Sequence, residues 1–144
     1  MATGKTYVNF HDGLIKKQID WVNDAIKVAL YTSALVPDQN ANVDWALTPY
    51  TANEVTGTGY TAGGQALASK TNVASTLKYV LKAANPSWTV STFTTAFAVI
   101  YDSTPATPKN LIGYIDFGGN QTVTAGTFTI TVDATNGIAY WTIS

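Results

Sequence analysis

The side chains best able to carry chemistry are few and scattered along this 144-residue chain. His11 is the single histidine, and there is no cysteine. Thiolate metal sites, disulfides and Cys nucleophiles are therefore excluded, while the redox compartment stays open. A Ser-His-Asp arrangement would have to use His11, with Ser33 or Ser103 brought to it by folding. No Gly-x-Ser-x-Gly elbow supports that arrangement. Beside Asp12 and Gly13, His11 reads better as a capping or surface residue. The nine carboxylates stand singly, and no pair has a spacing that suggests acid/base work. Asp20, Asp24, Asp102, Asp116 and Asp133 fall at expected strand ends or turns, where Asp accepts backbone hydrogen bonds. No residue is assigned a catalytic role, and the expectation is a non-enzymatic protein.

Two segments imitate ligand-binding motifs. Gly57-Thr58-Gly59-Tyr60-Thr61-Ala62 matches the dinucleotide pattern G-x-G-x-x-A in form. That pattern needs a buried strand before it, a helix after it and an acid about 20 residues on. Here polar Thr51-Ala52-Asn53-Glu54 precedes it, Gly63-Gly64 disfavours a helix start, and Tyr79 to Lys82 holds no acid. No Gly-Lys-Ser/Thr follows, so the segment reads as a tight loop with glycines where φ is positive. Asp38-Gln39-Asn40-Ala41-Asn42-Val43-Asp44 places oxygen side chains at alternate positions, as calcium loops do. Val43 stands where the sharp-turn glycine belongs and Pro49 where the bidentate Glu belongs. A solvated loop is the better reading, with Ca²⁺ binding left open. The expectation is no cofactor and no metal.

The four tryptophans are the remaining candidates. Trp21, Trp45, Trp88 and Trp141 each suit core packing. In a groove they would instead serve as interface anchors or a carbohydrate platform. Trp45 and Trp88 lie in polar, loop-like surroundings and are the better interface candidates. Electrostatics narrow the partners. The net charge is −1, and all eight basic residues are lysines. Without arginine there is no planar fork for phosphate or guanine, so a nucleic-acid platform is not expected. No apolar run reaches the ~18 residues of a membrane span. Met1 to Phe10 has no signal-peptide pattern. A soluble protein made in the cytosol, without a membrane partner, is expected.

The elements that must position these residues are mostly strands. Thr fills 23 positions and Gly 11, a balance that favours strands and turns over helices. Phe10, Leu14, Ile15 and Ile19 have near-helical spacing, with Asp12 as a cap, and predict one short N-terminal helix. Val22 to Ala25 reads as a turn, and Ile26 to Thr32 as a central strand covered on both faces. Pro37 to Tyr50 is expected as a surface excursion, pinned by Val43, Trp45, Ala46 and Leu47. Leu77 to Lys82 predicts a strand closed by Asn85-Pro86. Phe93 to Tyr101 predicts a buried strand, with Pro105 and Pro108 in the hairpin loop after it. Leu111 to Phe117 predicts the next strand, ended by Gly118-Gly119-Asn120. Phe128 to Val132 and Ile138 to Ile143, joined through Asn136-Gly137, predict a terminal hairpin. The whole chain, 1–144, reads as a single all-β domain, an antiparallel β-sandwich of jelly-roll type.

Four segments carry a resemblance. Ile26 to Ser33, Asn53 to Gly64, Ala98 to Asp102 and Leu111 to Gly118 occur in the same order in a group of small tailed-bacteriophage proteins. The chain resembles that group over most of its length, and the Gly-rich segment is the most distinctive of the four. The resemblance implies a virion structural protein made in the bacterial host cytoplasm. A small β-sandwich of this kind resembles a head decoration (cement) protein bound to the outer surface of the head. Its partner would be the major capsid protein or another virion protein, with self-association, a homotrimer among the options. A mobile arm, Met1 to Lys5, would order on binding, or an edge strand would accept a partner's strand. The alternatives are a tail, connector or fibre-associated protein, a carbohydrate-binding module using Trp45 or Trp88, and a small hydrolase using His11.

Overall fold

A computed structural model describes residues 4–143. The fold is all-β and sandwich-like, built of two antiparallel sheets with few helices. In chain order the elements are β1 (Lys5–Thr6), α1 (Val8–Ile15), β2 (Ile26–Tyr31), α2 (Tyr50–Asn53) and β3 (Gln65–Ala66). Then come β4 (Thr71–Ser75), β5 (Lys78–Lys82), β6 (Ser87–Asp102), β7 (Leu111–Thr129) and β8 (Ala139–Thr142). One sheet has the order β1-β7-β6-β2-β3, and the other β4-β5-β8.

The large sheet is covered on both faces, as the apolar run of β2 predicts. Ile26, Val28 and Leu30 point into one cluster with Ile100 of β6, Ile112 of β7, Leu81 of β5 and Ala139 of β8. That cluster is the sandwich core, and Phe10 of α1 closes it. Ala29 and Tyr31 point the other way, toward Val99, Tyr101, Tyr114, Tyr7, Leu35 and Tyr50. The second cover comes from the Pro37–Tyr50 region. The segment is a surface excursion as expected, but it also serves as a cover: its Trp45 and Tyr50, with Leu35 just before it, roof the second face of the sheet, while Val43 and Leu47 stay exposed. Tyr7 donates to the Tyr50 hydroxyl (2.7 Å), which donates to Asn42 Oδ1 (2.9 Å), tying the loop to the core.

The helix forms one turn earlier than its apolar spacing predicts. Its N-cap is Tyr7, and Asp12 lies inside it, paired with Lys16 Nζ at 2.7 Å. Ile19 falls beyond the helix but folds back on Gly13, where an added Cβ would stand 2.6 Å from Ile19 Cδ1. The helix ends in a Schellman arrangement: Lys17 N–H donates to Leu14 O and Gln18 N–H to Gly13 O. Lys17 takes the left-handed position there, with φ of 57°.

Two strand expectations need correction, and one strand lies where none is expected. Gly118-Gly119-Asn120 does not end β7; the strand runs on to Thr129 beside β6. The pairing skips from Phe97↔Asp116 to Thr95↔Gln121, so the glycines form a bulge, with φ of 75° and 148°. The expected terminal hairpin does not form. A turn does form at Asp133–Gly137, where Gly137 N–H reaches Asp133 O at 2.8 Å. However, Phe128 and Thr129 pair with β6, and β8 pairs with β5. Alternation identifies a strand but not its neighbour. The added strand is β4, whose five residues are all exposed, so no apolar period marks it in the sequence.

The expected arm, Met1 to Lys5, is anchored where it is described: Gly4 N–H donates to Ile138 O at 2.6 Å, and Lys5 pairs with Tyr114 of β7. Met1 to Thr3 lie outside the described residues. Among those residues, no helix is long and apolar enough to cross a membrane.

Candidate functional site

His11 is half-buried, its Nε2 3.0 Å from Thr6 Oγ1 and its ring edge-on to Trp141 at 5.2 Å. Burial lowers its affinity for a proton. Ser103 belongs elsewhere: its hydroxyl donates to Ala25 O at 2.6 Å, beside the start of β2. Ser33 lies exposed just after β2. The structure gives His11 a packing and hydrogen-bonding environment and places neither serine on it.

The Asp38–Asp44 oxygens serve the loop's own backbone. Asp38 Oδ1 accepts from the N–H groups of Asn40 (2.9 Å) and Ala41 (3.0 Å), which hold its carboxyl below the ordinary value. Asn42 Oδ1 accepts from Asp38 N–H at 2.7 Å. Asp44 is buried, and its Oδ1 accepts from Ala46 N–H (2.9 Å) and Lys109 N–H (3.0 Å). Among the described residues, no group of three or more His, Cys, Asp or Glu side chains is arranged to hold a metal ion.

The Gly57–Gly64 loop runs along the edge of β2 and is held there by one carboxylate. Glu54 Oε1 accepts from Tyr60 OH and from Gly63 N–H, both at 2.6 Å. Tyr60 OH accepts from Leu30 N–H at 3.0 Å, and Tyr101 OH donates to Gly63 O at 2.8 Å. Gly64, at φ of 68°, lies so close to β2 that an added Cβ would stand 1.9 Å from Val28 O. The glycines let one backbone lie against another, and the short strand β3 follows them, not a helix. The loop is a seam in the fold.

Core packing, the bland role of the tryptophans, holds for Trp88, and the interface alternative for Trp45 and Trp88 does not. Trp88 is 6% exposed and belongs to the sandwich core. Trp45 stacks flat on Tyr101, with ring centroids 4.4 Å apart and planes at 5°. Its indole N–H lies beside the Tyr31 hydroxyl, and neither meets a partner of ordinary hydrogen-bond geometry. These two are not the exposed platform that their polar surroundings suggest.

Instead, Trp141 and Trp21 line a cleft of about 500 Å³ beside the small sheet, within the size range of small-molecule sites. Phe10, Ile19, Trp21 and Leu81 form its floor. One wall is the stacked pair Tyr79–Trp141, with centroids 4.9 Å apart and planes at 27°. Phe10 meets Trp141 edge-on at 5.5 Å and braces it from α1. Trp21 Nε1–H donates to Thr71 O at 2.9 Å, which fixes β4 to the floor. The rim carries Lys17, Asp20 and Asn72, all exposed. Asn72 Nδ2 donates to the Tyr79 hydroxyl. Asp20 accepts from Val22 and Asn23 N–H groups and from Asn23 Nδ2, which lower its proton affinity. Sequence reasoning missed this cleft because its residues come from α1, the following turn, β4, β5 and β8, and no local motif joins them.

Folding also brings together two carboxyls that the sequence keeps apart. Asp102 is 0% exposed. Its Oδ1 accepts from Thr104 N–H at 2.8 Å, Oδ2 meets no donor, and the Asp24 carboxyl lies nearby. Burial, with the Asp24 carboxyl adding to it, raises the affinity of Asp102 for a proton. The pair lies where the β6–β7 loop meets the turn before β2. The separation of 78 positions hid it from sequence inspection. Comparison with protein-family models, with curated proteins and with solved structures returns no match for this chain.

Proposed function

We propose that this chain is a non-enzymatic virion structural protein of a tailed bacteriophage, a decoration protein that binds the outer surface of the head. The observation that carries the reading is the open arm of β7. Among the described residues, β1 pairs with β7 only at Gly113 and Tyr114. From Asp116 to Thr129 the strand has β6 on one side and, among the described residues, no strand on the other. That arm contains one charge, Asp116, and neither lysine nor proline. Natural edge strands are usually blunted by such residues or by bulges; this arm has bulges, the one at Gly118–Gly119 among them, but no lysine or proline, and its open side suits strand addition by a partner. Its outer face is hydroxyl-covered, with Ser87–Thr129 and Thr94–Thr122 bonded across the ladder at 2.8 and 2.9 Å. The resemblance of the four segments to small phage proteins supports the same reading. The partner is then the major capsid protein or another virion protein, self-association is available through the same edge, and the protein resides in the virion.

Co-sedimentation with purified heads lacking the protein tests this. The wild-type chain is expected to saturate at a simple fraction of the shell subunits. A Thr124→Lys/Thr127→Lys variant, which charges the arm at two exposed positions, is expected to bind at least roughly tenfold more weakly, since like charges on an edge oppose strand addition. Failure of the wild type to sediment with heads, or equal binding by the variant, overturns the proposal.

A further inference from the structure

We propose that the Tyr79–Trp141 cleft is a binding site for a neutral sugar ring. The inference is independent of the virion reading and rests on three features of the cleft. Its floor and wall are aromatic and aliphatic, which suits the C–H face of a pyranose. Its rim offers a cation (Lys17), an anion (Asp20) and an amide (Asn72) around one opening. An anionic ligand would meet Asp20 and a cationic one Lys17. Hydroxyl groups, each both donor and acceptor, match all three. The third feature is Lys17 itself. It occupies the left-handed position that closes α1, where glycine is the usual residue. Its side chain lines the cleft, so the turn that closes α1 also sets the rim's cation in place.

The test is a glycan array probed with the labelled full-length chain, followed by titration of any hit against tryptophan emission. At least one glycan with a neutral hexose is expected to bind. Asn72→Ala and Lys17→Gly, both exposed positions, are each expected to weaken binding, and the double variant by roughly tenfold or more, the equivalent of about 1.4 kcal/mol. Trp45→Phe, on the opposite face of the large sheet, is expected to leave binding unchanged. Thermal melts of each variant establish that it is folded. An array silent to neutral glycans, binding to acidic glycans alone, or a hit whose affinity the double variant does not alter would overturn the assignment.

Discussion

Replacing Asp102 by Asn tests how the buried carboxyl is accommodated. The side chain is fully buried, and only one of its two oxygens accepts a protein N–H. An asparagine keeps the Oδ1 acceptor for Thr104 and turns the other atom into a donor, with the Asp24 carboxyl nearby as an acceptor. Leaving a buried polar atom unsatisfied costs about 1–3 kcal/mol. Unfolding entropy for 144 residues is on the order of 0.3 kcal/mol/K, so relief of that cost raises Tm by roughly 3–10 °C at pH 7. The pH dependence has a definite sign. The folded-state proton affinity of Asp102 is raised above that of the unfolded chain, whose carboxyl titrates near 3.8. Its contribution is therefore fully present below that pH. It is lost as the pH rises through the folded-state value, because the unfolded chain ionises first. Thermal melts followed by circular dichroism between pH 3 and 8 should show wild type and Asp102→Asn converging at the acid end. They should separate above pH 4, with the variant the more stable. A variant no more stable at pH 7, or a gap that does not change with pH, refutes the reasoning.

Three further outcomes are expected. Gly64→Ala, which sets a Cβ 1.9 Å from Val28 O at positive φ, should destabilise the fold by at least about 3 kcal/mol or prevent its recovery in soluble form; denaturant melts check this. Glu54→Ala removes the acceptor shared by Tyr60 and Gly63 and should lose about 2–4 kcal/mol, with Glu54→Gln losing less. Hydrogen exchange should then rise first at the Gly63 and Leu30 amides. Lys17→Gly relieves the left-handed strain at the end of α1 and should add about 0.5–1 kcal/mol in the same melts.

How much of this was legible in the sequence depends on whether the signal was local. The all-β class, the short helix near Phe10 and the doubly covered β2 follow from residue type and period, and the structure has them. The reading of Gly57–Gly64 as a tight loop also holds, because glycine at positive φ is a property of the backbone itself. Partners in space were not legible. The pattern from Phe128 to Val132 announces a strand, but β6 is long enough to claim its first part, leaving β8 to β5. Gly118-Gly119 reads as a stop because glycine weakens strands, yet a hairpin with bulges absorbs it. The polar neighbours of Trp88 make it an interface candidate in sequence, whereas alternation along β6 turns it into the core. The cleft and the Asp24–Asp102 pair are assembled from distant segments, so neither has a motif to find.

The central claim, that this chain is a virion component placed on the head surface, is tested most directly by quantitative mass spectrometry of purified virions. The number of copies of this chain per shell subunit is the quantity to measure. The account predicts a ratio near one, or a simple fraction such as one per local three-fold. A handful of copies per particle would contradict the head placement and move the protein to the tail or connector. Its absence from the particle would contradict the virion reading altogether.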